Sequence, residues 1–317
     1  MKTKWFLLTL SAFFFGCVAI LPALASEVYD NYGGIIYYEQ DGVIIQNILA
    51  AGLKEEIGEG TLPSLSKNGK WLVYYDNDNY PVLYNTETEE KTVFEDLQSE
   101  PVSQPVWSPG NKYFTVESHT STSEYESVVN KKGEVVASFM TVDEFAWKNK
   151  NVIFFTSMND VEPPRPRGDG GGEGFGVSKL NVKNNTLTDL RMPSEFIDYT
   201  FDSIKNAKIV YTKYEVTDYE QWRELEDQTV TYWKMNKNGS HTFSLATLPE
   251  TGEHLIAATL GDQYDEDKIN DFGKYHNTSW HIFTLRDENS ENPEIYIVHL
   301  DDASSLFKVD DGDAPTW

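Results

Sequence analysis

Gln104-Pro105-Val106-Trp107, Ser108-Pro109-Gly110-Asn111 and Tyr113-Phe114-Thr115-Val116 stand nearly end to end in the sequence: an apolar run, a turn-forming quartet and a second apolar run. Aromatic and β-branched residues favour a pleated, buried surface, while Pro, Gly and Asn favour the reversal between two such runs. The stretch therefore reads as strand, turn, strand. About 40 residues upstream the same order is found in Leu62-Pro63-Ser64-Leu65, Ser66-Lys67-Asn68-Gly69 and Leu72-Val73-Tyr74-Tyr75, and a spacing of that size marks a repeat architecture.

Outward from these two copies, apolar strands recur at 35–38, 72–75, 113–116, 152–155, 208–211 and 281–284. Each is followed by a second strand, at 43–49, 82–85, 124–130, 176–182, 229–235 and 294–300, and then by a short third one, as at 91–94, 134–137 and 305–309. Asn130-Lys131-Lys132-Gly133 and Asn236-Lys237-Asn238-Gly239 suit tight hairpins between second and third strands. Wider spacing later in the chain is taken up by insertions at 214–227 and 261–278 and by a glycine-rich segment at 160–176. An innermost strand is expected before each triplet, at 62–65, 104–107, 144–147, 197–201 and 254–260. The first triplet has none in front of it, but Ala314-Pro315-Thr316-Trp317 reads as an innermost strand with no triplet behind it. The expected fold is thus all-β: one six-bladed β-propeller over residues 26–317, closed where the C-terminal strand pairs with the N-terminal blade and hides both sheet edges. Blades covered on both faces explain strands that are apolar on both sides.

Three passages carry a family resemblance. Residues 105–114 resemble the Trp-Ser-Pro-Asp-Gly-Lys repeat of TolB-like β-propellers, and Leu65-Ser66-Lys67-Asn68-Gly69-Lys70-Trp71-Leu72 is a degraded copy. Phe283-Thr284-Leu285-Arg286-Asp287 through Asn292-Pro293-Glu294-Ile295-Tyr296-Ile297-Val298 is similar to a later passage of that repeat. The resemblance runs from about Gly33 to Trp317 and is best in the second and third blades, whereas blades four to six depart from it. It implies an interaction module of the periplasm or the extracellular space; several such propellers precede a peptidase domain. No Gly-x-Ser-x-Gly nucleophile elbow occurs in this sequence.

Residues 1–25 read as an export signal: Lys2 and Lys4 are the basic region, residues 5–20 the apolar run, and Ala23-Leu24-Ala25 the small-residue site with cleavage between Ala25 and Ser26. A periplasmic or secreted location follows, with no membrane span once the signal is removed. An uncleaved anchor is the rival, and Phe14-Phe15-Gly16-Cys17 loosely resembles a lipoprotein box; lipidation at Cys17 would leave residues 18–24 on the product. Cys17 is the only cysteine, so a chain beginning at Ser26 has no disulfide, thiolate metal site or cysteine nucleophile.

With 26 Lys+Arg against 51 Asp+Glu, the formal charge is -25. Such a field repels phosphate backbones and anionic lipid, which excludes nucleic acid as an expected partner. An acidic surface serves solubility and also attracts cations. Acidic clusters occur at Asp76-Asn77-Asp78, at 262–271 and at Asp310-Asp311-Gly312-Asp313. Weak calcium binding is expected at Asp265, Asp267 and Asp271, although no cluster matches a twelve-residue calcium loop; no other cofactor is expected.

The histidines show no metal-ligand spacing such as His-x-x-x-His. His119 and His276 are expected in loops, and only His254 and His276 to approach one mouth of the channel. No catalytic residue is assigned. The glycine-rich segment follows Pro163-Pro164 and fits no phosphate-binding loop; its Arg165 and Arg167 are available to a partner carboxylate. Most of the 8 Trp, 18 Tyr and 17 Phe are expected between blades. Tyr214, Tyr219 and Trp222 fall in an insertion and offer a contact surface instead. The expected function is therefore a monomeric, non-catalytic module binding an envelope or extracellular protein, or a glycan. Two alternatives stand beside it: a lyase or hydrolase acting on a small or carbohydrate substrate at the channel mouth, and a calcium-responsive binding module.

Overall fold

A computed structural model describes residues 34–101, 103–120, 123–141, 145–159, 174–191, 197–205, 208–216, 228–245, 252–260, 268–274, 279–286 and 293–317. The chain forms two compact units, one made of Met1–Pro63 with Ile256–Trp317 and the other of Ser64–Leu255.

The first unit holds two four-stranded antiparallel sheets. One is built from β1 (Ile35–Gln40), β2 (Val43–Ile48) and β3 (Leu53–Glu59), and β23 (Asp313–Thr316) from the far end of the chain adds to the free edge of β1. Tyr37 pairs with Thr316 and Glu39 with Asp313. The other follows the order β19 (Ile269–Lys274), β20 (Trp280–Leu285), β21 (Glu294–His299) and β22 (Asp302–Asp311). Ile36, Tyr38 and Ile45 of the first sheet pack with Ile282, Ile295 and Ile297 of the second, and Trp317 lies against the same cluster.

Four meanders follow, within the second unit from Ser64 onward. β4 (Thr61–Leu65), β5 (Trp71–Tyr75), β6 (Pro81–Asn85) and β7 (Lys91–Val93) make one sheet. β8 (Tyr113–Thr120), β9 (Ser123–Asn130) and β10 (Val135–Phe139) make the next, where the inner position holds only a bridge between Trp107 and Phe114. β11 (Phe145–Asn149), β12 (Val152–Asn159), β13 (Gly174–Asn181) and β14 (Thr186–Arg191) precede β15 (Ile197–Lys205), β16 (Lys208–Val216), β17 (Gln228–Asn236) and β18 (Phe243–Leu245). Among the described residues there are thus five four-stranded sheets and one three-stranded sheet, each formed in chain order except where β23 joins β1. Consecutive meanders of this kind are the repeating element of a β-propeller.

The strands are buried on both sides. Leu72, Val73, Tyr74 and Tyr75 are consecutive and none is more than 2% exposed, so β5 is covered on both faces. Tyr113, Val128 and Phe139 meet Ile153 and Phe155 across one gap, and Phe154 and Val177 meet Phe201, Ile209 and Tyr211 across the next.

The repeat motif has a direct physical role. Ser108 is fully buried; its Oγ accepts the Tyr113 N–H at 3.1 Å, and its backbone exchanges bonds with Tyr113 and Asn111. Ser66 does the same for Trp71 at 3.0 Å and for Gly69. Gly69 and Asn111 occupy equivalent left-handed positions, with φ of 71° and 52°, which Gly and Asn tolerate best. Tryptophans at the inner positions tie neighbouring meanders together: Trp107 Nε1 donates to the Ser64 carbonyl at 2.9 Å, and Trp147 Nε1 to the Val106 carbonyl at 3.2 Å.

Three expectations need correction. Residues 254–260 are not a strand but part of helix α1 (Gly252–Leu260), because Ile256 and Leu260, one turn apart, are the residues that the core buries. The inner strand of the last meander is β19, inside what read as the 261–278 insertion. The expected strand at 104–107 is reduced to the Trp107 bridge; Pro105 has no N–H to contribute to a ladder.

Candidate functional site

Most residues singled out from sequence lie outside the described residues: Ala25, Ser26, Arg165, Arg167, Tyr219, Trp222, Asp265, Asp267 and His276. Two are placed by backbone alone. Tyr214 is the partner of Val230 in the β16–β17 ladder, and Asp271 is the partner of Phe283 between β19 and β20. His119 is not in a loop; it belongs to β8 opposite Glu124. His254 sits on α1, His281 is buried in β20, and His299 meets the Trp280 ring edge-on at 5.0 Å. Among the described residues no group of three or more His, Cys, Asp or Glu side chains is arranged to hold a metal.

Two of the acidic clusters serve the fold. Asp76 Oδ1 accepts the Asp78 and Tyr80 N–H groups at 3.0 and 2.9 Å, closing its own turn. Asp310 receives hydrogen bonds from Tyr38 and Lys54, Asp311 is paired with Lys308, and Asp313 with Arg286 at 2.7 Å. These contacts hold the carboxyl of Asp310 below its usual range despite partial burial, which raises it, and they tie the end of β22 to the first sheet.

The three longest hairpins of the second unit are of nearly equal length. β8 and β9 pair from Tyr113–Asn130 to Thr120–Ser123, β12 and β13 from Val152–Asn181 to Asn159–Gly174, and β16 and β17 from Lys208–Asn236 to Val216–Gln228. β5 and β6 pair only from Trp71–Asn85 to Tyr75–Pro81, so that hairpin stops about 10 Å short at 3.3 Å per residue. The described pairs Asn159–Gly174 and Val216–Gln228 border, in sequence, the stretches that carry Arg165 and Arg167 and that carry Tyr219 and Trp222.

Beside the shorter hairpin lies a feature the sequence reading missed. Glu117 of β8 and Glu126 of β9 are direct cross-strand partners, and each is only 7% exposed. The Ser103 hydroxyl donates to Glu117 Oε2 at 3.4 Å, and the Thr115 hydroxyl bonds to Glu126. Tyr75 reaches across from β5: its hydroxyl accepts the Glu117 N–H at 3.2 Å. Burial first, and then the charge of Glu117, push the Glu126 carboxyl up to about 7. Burial and the two carboxylates likewise raise the Tyr75 phenol far above its ordinary value. Two carboxyls so placed can jointly hold a cation. The available signal was a Glu directly after the apolar run 113–116 and another inside the run 124–130, where a strand buried on both faces has no room for charge.

The fold class is now defined: an all-β chain of successive antiparallel meanders. In solved structures it is similar to TolB from Acinetobacter baumannii, at 12% identity over 90% of this chain and 67% of that one, with a TM-score of 0.48. It is also similar to the β-propeller domain of the Trilobed protease from Pyrococcus furiosus, at 11% identity over 88% and 79% of the two chains and a TM-score of 0.44. A third similar structure is the oligogalacturonate lyase from Vibrio parahaemolyticus, at 13% identity, 87% and 79% coverage and a TM-score of 0.43. No family model and no curated protein matches the sequence. The described meanders are by their own topology the repeating element of a β-propeller, the fold that the resemblance to TolB-like propellers implies.

Proposed function

We propose that the chain is an exported, non-catalytic six-bladed β-propeller, sealed by β23, that presents one rim to a protein or glycan of the cell envelope or the extracellular space. The observation that carries this reading is the set of three long hairpins of nearly equal length on consecutive sheets. Fully paired strands fix where both variable segments begin and end, at Asn159 and Gly174 and at Val216 and Gln228. Aromatic and arginine side chains are the types that dominate binding energy at such contacts. The pairing of Tyr37 with Thr316 and of Glu39 with Asp313 supports closure of the ring by the last strand.

Export is tested by mass spectrometry of the protein recovered from the producing cell's envelope or medium, where the reading expects a mature chain beginning at Ser26. Binding is tested by crosslinking in that compartment, comparing the native chain with Tyr219→Ala/Trp222→Ala and Arg165→Ala/Arg167→Ala. Loss of each crosslinked partner by about tenfold is expected, the usual scale for truncating an anchor side chain. Replacing residues 217–227 with a two-residue turn should have the same effect without unpairing Val216–Gln228. Unchanged crosslinks in all three variants would overturn the rim assignment.

A further inference from the structure

We propose that Glu117 and Glu126, together with the hydroxyls of Ser99, Ser103 and Tyr75, form a binding site for a single divalent cation, with calcium as the best-matched ion. This does not depend on the partner-binding role. Two carboxylates directly opposite one another on adjacent strands repel, and burial magnifies the repulsion, so the arrangement is stable only with positive charge or a proton between them. A second feature is independent of the acids. Ser99 is 6% exposed, and its Oγ is fully buried against the Tyr75 hydroxyl without a hydrogen bond of ordinary geometry. A hydroxyl in that position is costly to bury unless it has a ligand to coordinate. Ser103 completes the set from the same connecting segment, through its bond to Glu117.

Every donor is an oxygen, two carry charge, and none is a thiolate or imidazole, which selects hard cations over zinc or copper. Calcium accepts irregular oxygen shells, whereas magnesium demands near-octahedral geometry and keeps its water. Glu126 is faced by Glu117 from β8, by Tyr75 from β5 and by the uncharged Phe139 from β10.

The test is titration of chelator-treated, full-length purified protein with calcium chloride, followed by calorimetry and by thermal unfolding. One site is expected, with a higher melting temperature in calcium. Glu117→Gln and Glu126→Gln should each weaken binding about tenfold or more; both remove repulsion, so neither should impair folding. Asp265→Asn/Asp267→Asn/Asp271→Asn should bind like the native chain. The proposal falls if calcium, magnesium and manganese all leave the native protein's melting temperature unchanged. It falls equally if binding survives the glutamate variants, or is lost only in the aspartate variant.

Discussion

Glu126 shows how a single side chain couples burial to stability. Its carboxyl has an ordinary value of 4.5 and is raised to about 7, so the native state holds a proton that the unfolded chain has released. Sites of this sign contribute stability that is fully present below 4.5 and is lost as the pH rises through 7. The shift corresponds to at most about 3 kcal/mol. Without divalent cations, denaturant unfolding should show stability falling across that window, and Glu126→Gln should flatten the fall. Glu294 and Asp310 are shifted down by their bonds to Lys308 and to Lys54 and Tyr38, so their contributions run the other way and are lost on acidification. The difference between native and Glu126→Gln profiles therefore isolates the single group. An identical slope in both would show that Glu126 carries no native proton.

At the level of elements, the corner that links an inner strand to its neighbour is set by one buried hydroxyl. Ser108 Oγ accepts the Tyr113 N–H and also lies 3.3 Å from the Lys112 N–H, and Ser66 repeats the first bond to Trp71. Ser108→Ala should cost about 1–2 kcal/mol, since a buried donor loses its partner. Urea unfolding should show a lower midpoint with an unchanged slope. Ser103→Ala, at an exposed position upstream of that corner, should cost less in metal-free protein; an equal cost would argue against the corner's special role. The same scale explains the misread helix. Leu255, Ile256 and Leu260 are apolar at spacings that fit a strand or one face of a helix, and a nine-residue window does not separate the two. The packing of Ile256 and Leu260 against Phe283 and Val298 decided it.

On the scale of the whole molecule, the first sheet depends on residues that lie far apart in sequence. β23 supplies the fourth strand, Ala314 is buried at 2% exposure, and Trp317 packs with Ile36 and Ile282. Truncation after Asp311 should expose the edge of β1, lower the melting temperature and promote self-association, measured by scanning calorimetry and light scattering. Gly312→Ala should produce a milder version, because a Cβ there would lie 2.5 Å from the Glu39 carbonyl oxygen and 2.8 Å from Tyr38 Cδ2. A truncated protein with native melting temperature and a monomeric mass would show that the terminal strand is dispensable.

Period, strand order and the outlying position of Ala314 to Trp317 were legible from the residues alone. They depend on short-range patterning: apolar runs, Ser-x-x-Gly or Ser-x-x-Asn corners, and Asn-Gly hairpins whose chemistry is complete within a few residues. Asn130 and Gly133 illustrate this, closing their turn at 3.0 Å, with Gly133 at φ of 82°. The pairing of Glu117 with Glu126, the approach of Tyr75 and the orphaned hydroxyl of Ser99 were not legible. Each arises from register or from contact between meanders, and neither is encoded in local composition. A glutamate in a strand is ordinary when one face meets water; it becomes a titrating group near neutrality because folding covers that face and sets a second carboxylate opposite it.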